Sequence, residues 1–220
     1  MRRELTLVVV GAGLLLSPWL GVAQKKAAAA PQADYNTKTW EPGDATRIVQ
    51  EVRHRLLSLP NYNVFDSLSF GIQGRTIVLR GYASRPILKS DAEGAVKGIA
   101  GVASVDNEIK VLPPSPFDDN IRVGVYRRIY SQPMLRKYTG SPVGFGVGPS
   151  VARAAGGITN DPPRGYHAIH IIVNRGHVTL TGAVDSETDA NVASMQANST
   201  PGVFSVDNEL MFPEGRKAEK

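Results

Sequence analysis

The sequence predicts an α+β fold of two αββαβ modules, each a small three-stranded mixed sheet with two helices packed on one face. Three observations predict it: an internal repeat, helical spacing of apolar residues ahead of each copy, and apolar–polar alternation within each copy. The repeated strings are GVASVDNEI at residues 101–109 and GVFSVDNEL at residues 202–210. Upstream, the triplets LRG and LTG match in the same register. Repetition at a fixed offset indicates a duplicated structural unit.

Each element of the first copy has its own signal. Apolar residues at 48, 52, 56 and 59 recur at the helical period, with Asp44 as the predicted N-cap and Pro60 after the helix. Alternating apolar residues at 68, 70 and 72, and again at 77 and 79, predict a hairpin. Ser84 is the predicted cap of a second helix with Pro86 in its first turn. Residues 105–112 form the predicted third strand.

The second copy repeats this order of elements with one difference. Its helix seam of Ile121, Val125 and Ile129 matches the first copy at an offset of 73, whereas its strands match at 101. The difference of about 28 residues predicts an insertion, at 134–166, between the first helix and the hairpin. The predicted boundaries are 44–112 for the first module, 118–212 for the second and 213–220 for a charged tail.

The N-terminal residues have the composition of an export signal. Residues 1–23 combine two early arginines, an apolar run and a small-residue cleavage site that ends at Ala23. The run is short for a membrane span, which needs about 20 residues, and an uncleaved anchor is the alternative. Residues 24–43, rich in Ala, Gln and Pro, predict a disordered spacer. We therefore expect an exported protein of the periplasm or cell envelope, and the lack of cysteine excludes disulfides.

The element order and the repeated strings resemble the BON domain, a family named for bacterial osmotic-stress and nodulation proteins. The resemblance rests on IVLRG with residues 101–109, and on VTLTG with residues 202–210. It covers both modules, about two thirds of the chain. Tandem BON domains behind a signal sequence are similar to periplasmic proteins that are proposed to bind phospholipid surfaces and are not known for catalysis. The resemblance implies a non-enzymatic protein that supports envelope integrity or stress tolerance.

The residues predict no catalytic site, no metal site and no cofactor. His170 and His177 share one predicted strand face but lie about 13 Å apart, too far to hold one metal ion, so we expect surface histidines. The carboxylates at 106 and 108 recur in the second copy with no nucleophile or base beside them, which indicates a structural role. The glycine-rich run at 144–148 follows no predicted strand, as a nucleotide loop would. No motif that reads nucleic acid accompanies the positive charge.

The strongest candidate surface is the outer face predicted for the first helix of the second module. With the apolar seam turned inward, a helical wheel places two tyrosines and several arginines outward or beside the seam. The predicted binding set is Arg122, Val123, Tyr126, Arg127, Arg128, Tyr130, Arg136 and Lys137. Rings beside arginines suit a lipid headgroup layer, where guanidinium groups bind phosphate. We therefore expect binding of anionic phospholipid headgroups, with a protein-interaction scaffold of an envelope complex as the alternative.

Overall fold

The computed structural model describes residues 40–140 and 147–213 of the 220-residue chain. The predicted signal segment, the spacer up to residue 39, most of the glycine-rich run and the tail beyond Pro213 lie outside the described residues. Residues 40–43 were predicted to be spacer, and that part of the prediction is wrong. The Trp40 indole Nε1 donates to the carbonyl of Gly101 over 2.8 Å, so this segment packs on the first module.

The first module has the predicted order of helix, strand, strand, helix and strand. Its elements are α1 at Pro42–Leu57, β1 at Ser67–Gln73, β2 at Thr76–Ala83 and α2 at Pro86–Lys97. The predicted third strand is present as two short pieces, β3 at Ser104–Asn107 and β4 at Lys110–Val111. Both pieces run parallel to β2, whereas β1 is antiparallel to it, so the sheet is mixed.

Prolines rather than polar caps mark the helix starts in the first module. Pro42 lies in the first turn of α1 behind Glu41, so Asp44 is not the N-cap. Arg85, not Ser84, precedes the first turn of α2. Proline has a fixed φ and no N–H, and the first helical turn needs neither a free φ nor a bonded N–H, so proline suits this position.

The second module repeats the fold around the insertion. Its elements are α3 at Pro116–Ser131, a 3₁₀ helix at Pro133–Tyr138, α4 at Val151–Gly156, β5 at Ile169–Asn174, β6 at His177–Ala183, α5 at Glu187–Asn198 and β7 at Ser205–Met211. The 3₁₀ helix and α4 are formed by the insertion. β5 is antiparallel to β6 and β7 is parallel to it, as in the first module. The predicted fold class is confirmed.

The repeated asparagine ties the last strand of each module to its second helix. Asn107 donates its side-chain amide to the carbonyl of Lys89 on α2 over 2.9 Å. Asn208 makes the same bond to Ala190 on α5 over 3.1 Å. Because each bond lies within its own module, the repeated strings predict the fold of each copy separately.

The repeated glycine allows two strands to meet closely. Gly81 has a φ of 115°, and a Cβ at this position would come within 2.0 Å of the Ser67 carbonyl oxygen. Gly182 has a φ of 118° and meets Ala168 in the same way. Only glycine tolerates both the positive φ and the contact, which explains the repeated triplet.

Each module packs a hydrophobic cluster between its helices and its sheet. The first cluster joins α1, β2 and α2, for example through Ile48, Leu79 and Leu88. The second cluster includes Val64 and Phe65, which come from the loop between α1 and β1 of the first module. We call Val64 and Phe65 the plug. The two modules are therefore joined by apolar burial as well as by the linker between them.

Candidate functional site

The outer face predicted for α3 is largely buried. Ile121, Val125 and Ile129 form the inner seam as predicted, each at most 1% exposed. Tyr126 and Tyr130 were predicted to face outward, yet they are 1% and 0% exposed. The prediction that these tyrosines are available to a headgroup layer is therefore wrong.

The plug, the start of β5 and the residues just before it cover the tyrosines of α3. The Tyr126 hydroxyl lies 3.0 Å from Nε2 of His167, and the Tyr126 ring meets the Phe65 ring edge-on with centroids 6.4 Å apart. The Tyr130 hydroxyl donates to the carbonyl of Ile169 over 2.7 Å. Burial raises the pKa of both tyrosines. A helical wheel cannot show this cover, because residues distant in sequence supply it.

Arg122 is also buried, which corrects its predicted place beside a wet face. It is 2% exposed, and its Nη1 donates to Asp119 over 2.6 Å. Its Nη2 donates to the carbonyl of Val173 over 2.7 Å. A buried charge is stable only when it is paired and hydrogen-bonded. In this arrangement the guanidinium group joins α3 to β5 and has no access to a phosphate.

Three arginines of the predicted set do lie on the surface: Arg127, Arg128 and Arg136. Within residues 40–140 and 147–213, none of the three forms an ion pair with a carboxylate. Their hydrogen bonds are 3.1–3.5 Å long and go to neutral oxygens, those of Val147, Ser199 and Ser131. Long bonds to neutral acceptors are weak, so phosphate oxygens can replace them at little cost.

Two methionines flank these arginines, and the sequence reasoning missed both. Met134 in the 3₁₀ helix is 42% exposed. Met195 on α5 is 62% exposed and lies one turn before Ser199, the residue that Arg128 contacts. They lie near the arginines because the 3₁₀ helix packs on α5, and the sequence alone does not show this packing. We call Arg127, Arg128, Arg136, Met134 and Met195 the arginine surface.

The other two members of the predicted set are less accessible to an anion. Lys137 is exposed, but its Nζ lies 2.8 Å from Asp185 and 3.0 Å from Asp189. The hydrogen bonds to these carboxylates raise the pKa of Lys137, and they fasten the 3₁₀ helix to the start of α5. Val123 is half-buried and lines a cavity of about 510 Å³ between α3 and α4.

The histidines fall into two groups. His54 and His177 are exposed, as predicted. His167 is only 5% exposed, and His170 is half-buried against the Tyr62 ring with centroids 5.2 Å apart, so the prediction of surface histidines is wrong for these two. Burial lowers the pKa of His167 to about 4 and also lowers the pKa of His170.

His167 is expected to make the folded protein sensitive to acid. Its folded pKa of about 4 lies below the ordinary value of 6.5, so the unfolded chain takes up a proton first as the pH falls. The contribution of His167 to the free energy of unfolding is therefore fully present above pH 6.5 and is lost as the pH falls towards 4. Buried Asp66, whose pKa is raised to about 6, acts in the opposite direction.

The contribution of His167 is isolated by comparing wild type with His167→Gln. Urea unfolding between pH 7 and pH 4.5 should show a steeper loss of stability in wild type than in the variant. The variant keeps Asp66 and His170, so their contributions cancel in the difference. If the free energy of unfolding fell equally with pH in both proteins, the pKa of His167 would be the same in the folded and unfolded states.

The sequence profile of the BON domain matches residues 44–113 and 154–213, which together make up more than half of the chain. The chain belongs to the BON domain family, as the repeated strings predicted. The second match begins in α4 and omits α3, although α3 occupies the first-helix position of the second module. The BON domain is not an enzymatic domain, and its presence supports an envelope protein.

Two solved structures are similar to the chain at 16% sequence identity. One is the C-terminal domain of CdsD, the structural protein of the type III secretion system of Chlamydia trachomatis, with 76% of this chain and 98% of that chain covered and a TM-score of 0.25. The other is a further structure of CdsD from the same organism, with 76% and 94% covered and a TM-score of 0.24. No curated protein matches.

In the described part of the chain, no helix combines the length and apolar character needed to cross a membrane.

Proposed function

We propose that this BON-domain protein is a non-enzymatic, exported protein of the periplasm or cell envelope that associates with anionic phospholipid headgroups through the arginine surface. One observation carries the proposal. Three neighbouring exposed arginines have only neutral oxygen partners among the described residues. Guanidinium groups pair with phosphate in two-pronged hydrogen bonds. The exposed thioethers of Met134 and Met195 add apolar contact at the same surface.

The expected contact is shallow and electrostatic. With Tyr126 and Tyr130 buried, neither of the two predicted rings is available at the interface. A basic residue near an anionic leaflet contributes about 1 kcal/mol, so three arginines contribute about 3 kcal/mol. That corresponds to a Kd of about 6 mM for one molecule. Useful affinity therefore requires several arginine surfaces acting on one membrane.

Vesicle sedimentation tests the proposal. The full chain should sediment with phosphatidylglycerol-containing vesicles at low salt and should remain in solution with phosphatidylcholine alone. A triple variant with alanine at positions 127, 128 and 136 should lose about 100-fold in affinity for the anionic vesicles, because it loses about 3 kcal/mol. Raising the salt concentration should reduce wild-type binding, since exposed charges are screened.

A matched variant separates the arginine surface from net charge. Alanine at positions 47, 55 and 80 also removes three positive charges, but these arginines already pair with Asp44, Glu51 and Glu108. We expect this control to bind anionic vesicles nearly as well as wild type. Equal losses in both triple variants would reduce the effect to net charge and reject the arginine surface as the site.

A further inference from the structure

The two modules carry the same groove, covered in one and open in the other. It runs between the first helix of each module and the edge strand of its sheet. In the second module, Tyr130 and Ile171 line the groove and are both 0% exposed. The equivalent residues of the first module are Leu57, which is 62% exposed, and Phe70, which is half-buried.

The plug is what covers the groove of the second module. Phe65 is fully buried there beside Tyr126. The Val64 carbonyl accepts a hydrogen bond from the Ile171 N–H, at the free edge of β5, over 2.8 Å. The plug therefore combines one aromatic anchor with a main-chain bond to a sheet edge, as extended peptides do when they bind sheets.

The edge of β1 offers the same main-chain group without a partner. Phe70 faces Leu79 across the first hairpin as Ile171 faces Leu180 across the second. Because the Ile171 N–H points away from its hairpin, the Phe70 N–H does so too. No described residue accepts a hydrogen bond from it.

The open groove has room for an aromatic side chain. Its volume is about 320 Å³, and it is lined chiefly by Leu57, Tyr62, Leu68, Phe70 and Met211. Met211 comes from β7 of the second module and is 69% exposed. The groove is thus apolar and accessible, and residues of both modules shape it.

The second copy carries an exposed aromatic residue at the position equivalent to Phe65. At the strand offset of 101, the residue equivalent to Phe65 in the second copy is Tyr166. Phe65 is 0% exposed, whereas Tyr166 is 70% exposed. The Tyr166 carbonyl accepts from the Gly140 N–H over 2.9 Å, and the next residue, His167, is buried. The ring is therefore presented on a loop that is fixed at both the main chain and the neighbouring side chain.

We infer that copies of this protein associate head to tail, with Tyr166 of one copy in the open groove of the next. The contact repeats between chains the one that Phe65 already makes within the chain, so it continues an existing interface. The two sides of the contact differ, which makes the interface heterologous. Such contacts build rings or open filaments rather than two-fold dimers.

Crosslinking between two single-cysteine variants tests the arrangement. The chain contains no cysteine, so Ser69→Cys at the groove and Arg164→Cys beside Tyr166 each carry one thiol and leave Tyr166 and Leu57 in place. With a short bismaleimide, a mixture of the two full-length variants should give a covalent dimer that contains one of each. Either variant alone should give none, because like positions do not meet in a heterologous contact. Dimers in a single-variant sample, or the absence of a mixed dimer from the mixture, would overturn the arrangement.

Sedimentation velocity without lipid tests the association itself. Wild type should exceed its monomer mass of 23.6 kDa as its concentration rises. Tyr166→Asp and Leu57→Asp alter exposed side chains and should each leave a folded monomer, whereas Tyr166→Phe should assemble like wild type. The triple alanine variant at 127, 128 and 136 should also assemble, which separates this inference from lipid binding. A wild type that stays monomeric, or aspartate variants that assemble equally, would refute it.

Discussion

Replacing Phe65 with alanine is expected to destabilise the protein by about 3–5 kcal/mol, the usual cost of removing a fully buried aromatic side chain. Phe65 belongs to the first module by sequence, yet it is 0% exposed inside the hydrophobic cluster of the second. Its removal leaves a cavity against Tyr126 and loosens the main-chain bond between Val64 and Ile171. Urea unfolding measures the total loss. Hydrogen exchange should show the loss first at the Ile171 amide on β5.

The matched control lies at the same loop position of the other copy. Tyr166 is 70% exposed, so Tyr166→Ala should change the free energy of unfolding by no more than about 0.5 kcal/mol. The two substitutions remove rings of similar size from equivalent positions. A small loss at both positions would mean that the plug does not contribute to the core of the second module.

The fold of each module was predictable because its determinants are local and present twice. Gly81 and Gly182 allow the same close strand contact, and Asn107 and Asn208 make the same bond to the second helix. These residues act inside one module. Their spacing in the sequence therefore carries the information on element order and register.

The candidate site was only partly predictable, because its cover comes from elsewhere in the chain. The helical period correctly places Ile121, Val125 and Ile129 inward, and Arg127 and Arg128 are indeed exposed. The same period cannot show that a loop 61 residues earlier, at Phe65, closes over Tyr126. One signal was present in the sequence: the aromatic residues Phe65 and Tyr166 occupy equivalent positions at the strand offset.

The two proposals support each other but fail separately. One arginine surface supplies about 3 kcal/mol, too little to hold a monomer on a membrane. Head-to-tail assembly through Tyr166 would present one arginine surface per copy, and linked contacts gain affinity without any new bond. A protein that assembles but ignores anionic vesicles refutes the lipid proposal alone. A monomer that binds anionic vesicles through its arginines refutes the assembly alone.

Arg122→Ala is expected to destabilise the fold by about 3 kcal/mol, whereas Arg128→Ala changes stability by less than about 0.5 kcal/mol. Both arginines lie on α3, but Arg122 is 2% exposed and bonds to Asp119 and the Val173 carbonyl. Its removal leaves that carbonyl without a donor and Asp119, whose side chain is 17% exposed, without its counter-charge.

Urea unfolding in parallel with vesicle binding separates the roles of the two arginines. Arg128→Ala should weaken vesicle binding and leave the unfolding midpoint unchanged, because its charge lies on the surface. Arg122→Ala should lower the midpoint, and under conditions where it remains folded it should bind vesicles like wild type. If Arg122→Ala kept full stability but lost vesicle binding, the guanidinium group would have to reach the surface, and the buried network that joins α3 to β5 would be wrong.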